Sequence, residues 1–191
     1  MKELKELAKF LLGFMPWLLF LFLSGHTLVS LERSILISLL ASVLFCFREL
    51  RKGFILQWGT LFFFIACTLT VNFIHLMFVV KNMGIISNGF FACLIWGTIF
   101  TGKPFTLQYA KADLPKERWE DPALVRSCRF LAIVWAILLT FSTAVAYFRI
   151  LSPALFPDRI YFDITLGVIL GGTVFTSVYK KYKRSQSRST H

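Results

Sequence analysis

Two histidines, His26 and His75, are the residues whose type best suits chemistry in a chain otherwise dominated by Leu, Phe, Ile and Val. Both fall towards the ends of long apolar runs. Two imidazoles facing one another could ligate a haem or serve a quinone reaction. One pair with no further ligand is a thin constellation, and hydrogen bonding of His75 with Asn72 one turn earlier is the simpler reading. The four cysteines, Cys46, Cys67, Cys93 and Cys128, are scattered singly with no CxxC or Cys/His ligand spacing. They read as small packing residues. No GxSxG, HExxH, P-loop or dinucleotide glycine pattern is present. No Lys, Arg, Asp or Glu falls in the middle of an apolar run. Asp163 comes nearest, where a helix N-terminus would favour its charge. The sequence therefore offers no catalytic residue, no cofactor site and no metal site, and it does not read as an enzyme.

The elements that would position any such residues are set by the spacing of charge. Between Lys9 and Glu32 lie 22 uncharged positions, between Lys52 and Lys81 28, between Lys81 and Lys103 21, and between Arg129 and Arg149 19. A span needs roughly 20 residues at 1.5 Å rise to cross about 30 Å of hydrocarbon. With two shorter candidates, the pattern predicts six helices, at about 10–28, 34–48, 54–79, 83–102, 128–149 and 160–179. The expected fold is an all-α polytopic membrane bundle, with 1–179 as one helical domain and 180–191 as a basic, disordered tail. The start, MKELKELAKF before LLGFMPWLLF, resembles a signal peptide, but Ser24-Gly25-His26 is a poor cleavage site. The first helix is read as retained and bent at Pro16. Cleavage or an interfacial position would leave five spans.

The net charge of +11 would suggest nucleic acid in a soluble chain. Here the Lys+Arg counts of the seven non-membrane segments alternate, 3, 1, 3, 1, 6, 2 and 5. That alternation is the positive-inside pattern of an even number of spans, with both termini, the 48–53 turn and the 103–129 loop in the cytoplasm. Nucleic acid is set aside as a partner. The basic excess reads as topology and as attraction to anionic lipid.

Helices associate in a bilayer through small residues that let backbones approach. Such residues recur every fourth position: Ser34, Ser38, Ser42 and Cys46; Gly89, Cys93, Gly97 and Thr101; Ala132, Ala136, Thr140 and Ala144; Gly167 and Gly171. The packing candidates are Gly89, Gly97, Ala132, Ala136, Gly167 and Gly171, with Gly167-xxx-Gly171 doubling as a homodimer seam. The tryptophans lie mainly near span ends, as interfacial belts require.

One stretch stands apart: TGKPFTLQYAKADLPKERWEDPALVRSCRF, residues 101–130. Pro104 after Gly102 should stop the preceding helix, and Asp121-Pro122 reads as N-cap plus first-turn proline. In between, Phe105, Leu107, Tyr109, Leu114 and Trp119 alternate with cationic groups, as in a segment lying in the headgroup layer. Lys103, Pro104, Gln108, Leu114, Pro115 and Trp119, together with the early FMPWLLFLF, resemble the intracellular septation protein A family, as a divergent member or a sister family. The resemblance implies a small, multi-pass bacterial inner-membrane protein. Its role would lie in cell-envelope maintenance and septation, without catalysis, through contacts with membrane-bound envelope or cell-division proteins. Lys103, Pro104, Phe105, Gln108, Leu114, Pro115 and Trp119 are the candidate partner contacts. The alternative is a small transporter or lipid-handling protein, dimeric in one version. It would need a polar path built from Ser38, Ser42, Thr70, Asn72, His75, Thr140 and Ser142.

Overall fold

The computed structural model describes residues 13–24, 27–73, 77–152 and 158–188. Those residues form seven α-helices: α1 (Met15–Leu23), α2 (Leu28–Arg51), α3 (Ile55–Thr68), α4 (Met77–Phe100), α5 (Phe105–Asp113), α6 (Pro122–Leu151) and α7 (Asp158–Arg188). No strand occurs among them. A π-helical turn, Leu69–Phe73, continues α3, and a 3-10 turn, Lys116–Arg118, follows α5. Four segments are long and apolar enough to cross a membrane: Val29–Arg51, Asn82–Phe100, Pro122–Leu151 and Arg159–Lys183. Ile55–Val71 is a shorter apolar helix. The chain is an all-α polytopic membrane protein, and four of the six expected spans reach full length among the described residues.

Helix ends follow local chemistry. Thr27 caps α2, its hydroxyl accepting from Ser30 N–H at 3.2 Å. This starts the helix six residues before the expected 34, so Glu32 and Arg33 belong to its first turns and not to a loop. Gly53 closes the α2–α3 turn at φ 73°, a left-handed value that favours glycine. Gly102 does the same after α4, at φ 72°, while Lys103 N–H reaches back to Thr98 O at 3.0 Å. Asp121 caps α6 by accepting from Ala123 N–H at 2.9 Å, with Pro122 in the first turn, as the spacing implied. Helix α4 begins at Met77, not 83, and carries non-helical backbone at Asn82. Helix α7 runs on to Arg188, through most of the expected tail, because Lys, Arg, Gln and Tyr tolerate helix well.

Side-chain pairings fix the directions. Gly84, Gly89 and Trp96 of α4 meet Ala146, Thr143 and Thr140 of α6, so the two run antiparallel. Phe130 and Trp135 of α6 meet Tyr179 and Gly172 of α7 in the same sense. Gly13 and Trp17 approach Gln57 and Thr60, so α1 and α3 are parallel. The helices alternate, leaving the α2–α3 turn, α5 and the end of α7 at one end of the bundle. The core has two parts. One gathers Phe20, Ile35, Phe63, Phe64 and Val71 from α1 to α3, with Met83 of α4. The other gathers Leu56, Phe91, Ile95, Phe105, Ala132 and Trp135. Trp17 packs against both.

Candidate functional site

Tryptophans on three helices are tied to threonines on neighbours. Trp17, Trp96 and Trp135 donate their indole N–H to Thr60, Thr140 and Thr176 at 3.2, 3.2 and 3.0 Å. Each threonine hydroxyl gives its own proton to the carbonyl four residues back, at Leu56, Ala136 and Gly172. The oxygen is thereby free to accept across the interface. Gly172 is required here, since a Cβ would meet the Trp135 ring at 2.8 Å. Trp17 and Trp135, the first of them expected in an interfacial belt, are thus cross-helix ties, whereas Trp58 is half exposed and donates to Leu50 O.

These two tryptophans line a cavity of about 470 Å³ between α1, α4, α6 and α7. Its base is Leu56, Phe105 and Trp135, and its shaft passes Phe91, Leu139 and Val168. From Trp135 to Arg149 along α6 is 14 residues, which at 1.5 Å per residue makes the shaft about 20 Å long. The far end changes character. Arg149, Arg159, Tyr161 and Asn88 line it, and no carboxylate does so among the described residues. Asn88 donates to Tyr161 Oη at 3.1 Å, and the Arg149 guanidinium lies 4.9 Å from the Tyr161 ring centre. Gly84 makes room for that phenol, for a Cβ would meet its oxygen at 2.6 Å. Midway along the wall, Ser142 is 1% exposed and its hydroxyl has no hydrogen-bond partner. Such a group in an apolar surround is destabilising by about 1–3 kcal/mol.

The partner-contact candidates of the 103–119 segment sit at the opposite end, and the structure uses several of them internally. Pro104 and Phe105 are enclosed by the bundle. Gln108 Oε1 accepts from Ile55 N–H at 2.9 Å, satisfying one of the orphan amides at the start of α3. Tyr109 donates to Gln57 Oε1 at 2.6 Å, and Thr106 to Cys128 O at 2.6 Å. Burial pushes the Tyr109 phenol well above its ordinary range, with the Gln57 bond offsetting part of this, so it stays protonated and a donor. The segment read as lying in the headgroup layer is therefore a helix clamped to α3, α4 and α6. Lys103 and Pro115 remain exposed, Leu114 is half-buried, and half-buried Trp119 donates to Leu114 O at 3.0 Å under the Lys111 ammonium.

Of the packing candidates, Ala132 and Ala136 are fully buried and Gly89 faces Thr143. Gly97, Gly167 and Gly171 are exposed, with open space where a Cβ would stand. The close approach on α7 is Gly172, one residue beyond the expected pair. Ser34, Ser38, Ser42 and Cys46 form one buried stripe on α2, as expected. Of the polar-path candidates whose side chains are described, only Ser142 lines the cavity. His26, His75 and the Asn72 side chain lie outside the described residues. The described residues hold no group of three or more metal-ligating side chains. No family model, curated protein or solved structure matches the chain. Arg149, Arg159, Asn88 and Tyr161 were not singled out from sequence as a site. The two arginines were counted there as ordinary outer-loop charges.

Proposed function

We propose that the protein is a lipid-handling membrane protein, holding one amphiphilic molecule in the cavity between α1, α4, α6 and α7. The observation that carries this is the cavity's polarity: an apolar shaft inside membrane-crossing helices, ending in arginines. Natural ligand cavities span about 300–1,000 Å³ and combine an apolar lining with a few placed polar groups. By the positive-inside rule, both termini and α5 face the cytoplasm of a bacterial inner membrane, and the arginine mouth meets the outer leaflet. In this reading α5 is a plug that closes the cytoplasmic base through Phe105. No bond-making group is assigned. The test is lipid extraction and mass spectrometry of the purified full chain, beside Leu139→Trp, which fills the shaft. Retention of one amphiphile per chain by the native protein, lost in the variant with helicity intact, supports the reading. Equal retention by both, or none by either, removes it.

A septation or cell-envelope scaffold is the second reading, favoured by the exposed edge of Lys103, Pro115, Lys116 and Arg118 beside α5. It rests on that edge and on the resemblance of the 103–119 segment. Affinity capture from native membranes checks it. Recovery of a membrane-bound division protein should fall when Lys116 and Arg118 are both changed to Gln.

A further inference from the structure

A cavity walled by α1, α4, α6 and α7 has a seam between each pair of neighbours, and most of these are closed. Gly84 and Gly89 bring α4 against Ala146 and Thr143 of α6. Gly172 and Thr176 hold α7 to Trp135 of α6. Trp17 of α1 meets Phe91 of α4 edge-on, with ring centres 4.4 Å apart. The seam between α1 and α7 differs. Both helices line the cavity, α1 through Trp17, Leu21 and Ser24, and α7 through Phe162, Thr165 and Val168. Yet α1 packs on α2 and α7 on α6, and among the described residues the two barely touch each other.

Composition explains the difference. Lipid tails are as apolar as leucine, so helices in a bilayer close up where small residues let their backbones meet. Helix α1 reads MPWLLFLFL and offers no such residue. Helix α7 turns its tight approach, Gly172, towards α6. The α1–α7 seam is left as a slot. Its lower edge is the stack of Phe14 on Trp135, with ring centres 5.4 Å apart. Its upper edge is Phe22 against Phe162, edge to face at 5.5 Å. Phe14 to Phe22 is eight residues, about 12 Å of height. Phe22 is 62% exposed, so its ring swings outward without leaving a packed site. Because α7 is long and apolar enough to cross the membrane, the slot opens on hydrocarbon and not on water.

We propose that the cavity takes its occupant sideways from the bilayer, the hydrocarbon chain sliding through the α1–α7 slot with Phe22 and Phe162 as its gate. This rests on the amphiphile reading proposed above and adds the route. The occupant is accordingly a lipid already dissolved in the membrane.

The test uses the full chain in nanodiscs, with Trp58, Trp96 and Trp119 each changed to Phe. The remaining indoles, Trp17 and Trp135, both line the cavity. Cys93, the exposed cysteine, is changed to Ala, and F22C/F162C is bridged by a short bis-methanethiosulfonate that a thiol reductant removes. Chain-brominated lysophosphatidylcholine is added to the bilayer and the time course of tryptophan quenching is read. The bridged protein should show no quenching, and reductant should start it in the same sample. F22C alone, treated with the same reagent, should quench as the unbridged protein does. F22A/F162A should speed entry about two- to tenfold, the worth of one aromatic pair. Equal quenching rates in bridged and reduced protein overturn the slot and leave the amphiphile cavity standing. An unchanged rate in F22A/F162A overturns the ring pair as the gate. Absence of quenching in bridged and reduced protein alike, with native helicity by circular dichroism, sinks the amphiphile reading itself.

Discussion

The two ends of the bundle treat polar side chains in opposite ways. At the α5 end, donors find acceptors: Gln108 with Ile55, Tyr109 with Gln57, Thr106 with Cys128. At the arginine end, a cavity opens beside Arg149, Arg159 and Tyr161, and Ser142 has no partner on the wall below. A satisfied network in an apolar surround rigidifies and specifies one arrangement, whereas a half-satisfied one is destabilising. The first end is built to stay shut. The second keeps an unsatisfied hydroxyl beside a cavity. The contrast predicts that substitutions near α5 act on stability and substitutions along the shaft act on binding.

The largest expected effect is at the closed end. Leu107, on α5 itself, is buried and does not line the cavity. Leu107→Ala should lower unfolding stability in mixed micelles by about 2–4 kcal/mol, the range for truncating a buried leucine. Amphiphile affinity should change little. A variant that unfolds no more readily but binds less tightly would reverse the assignment of the two ends.

Next comes Gln57→Leu, which removes the acceptor of the Tyr109 hydroxyl and should destabilise by about 1–3 kcal/mol. Adding Tyr109→Phe should then cost less than it does in the native chain, because the bond between the two is already gone. Non-additivity of this kind marks direct partners. If the two losses simply add, the 2.6 Å contact is not a functioning bond and the closed end is less closed than it looks.

Gly172→Ala sits at the junction, where the α7 backbone touches Trp135. Overpacking of this kind is destabilising by about 1–3 kcal/mol. Since Trp135 also forms the base of the shaft, this variant alone should lower stability and binding together. Gly171→Ala, next door but facing open space, should do neither, and helix propensity should make it slightly stabilising.

Much of this arrangement was readable in the sequence. Runs of uncharged residues located the membrane-directed helices, and the Asp121-Pro122 and Gly102 signals marked where they begin and stop. The α5 helix was missed because its pattern is broken. FTLQYAKAD mixes apolar and polar residues without a clean face, so its burial is set by contacts with α3, α4 and α6 and not by periodicity. Gln108 illustrates the limit. Its type and place were noticed, but a glutamine that caps another helix 53 residues away looks the same in sequence as one exposed for a partner. The cavity was illegible for a related reason. Arg149 and Arg159 stand at the ends of separate helices, and only the antiparallel pairing of α6 with α7 brings them to one mouth.

The smallest expected stability change, and the one with the opposite sign, is Ser142→Ala. Replacing a buried serine usually destabilises when its hydroxyl is bonded, and Thr176→Val should destabilise here because it removes the acceptor of the Trp135 N–H. Ser142 has nothing to lose, since its hydroxyl is already desolvated and unpartnered. Removing it should leave the lipid-free protein unchanged or stabilise it by up to about 1 kcal/mol, the lower end of what an unsatisfied hydroxyl costs. Measured without lipid, a loss beyond 1 kcal/mol would mean that Ser142 already has a partner in the empty protein, and the difference between the two ends would disappear.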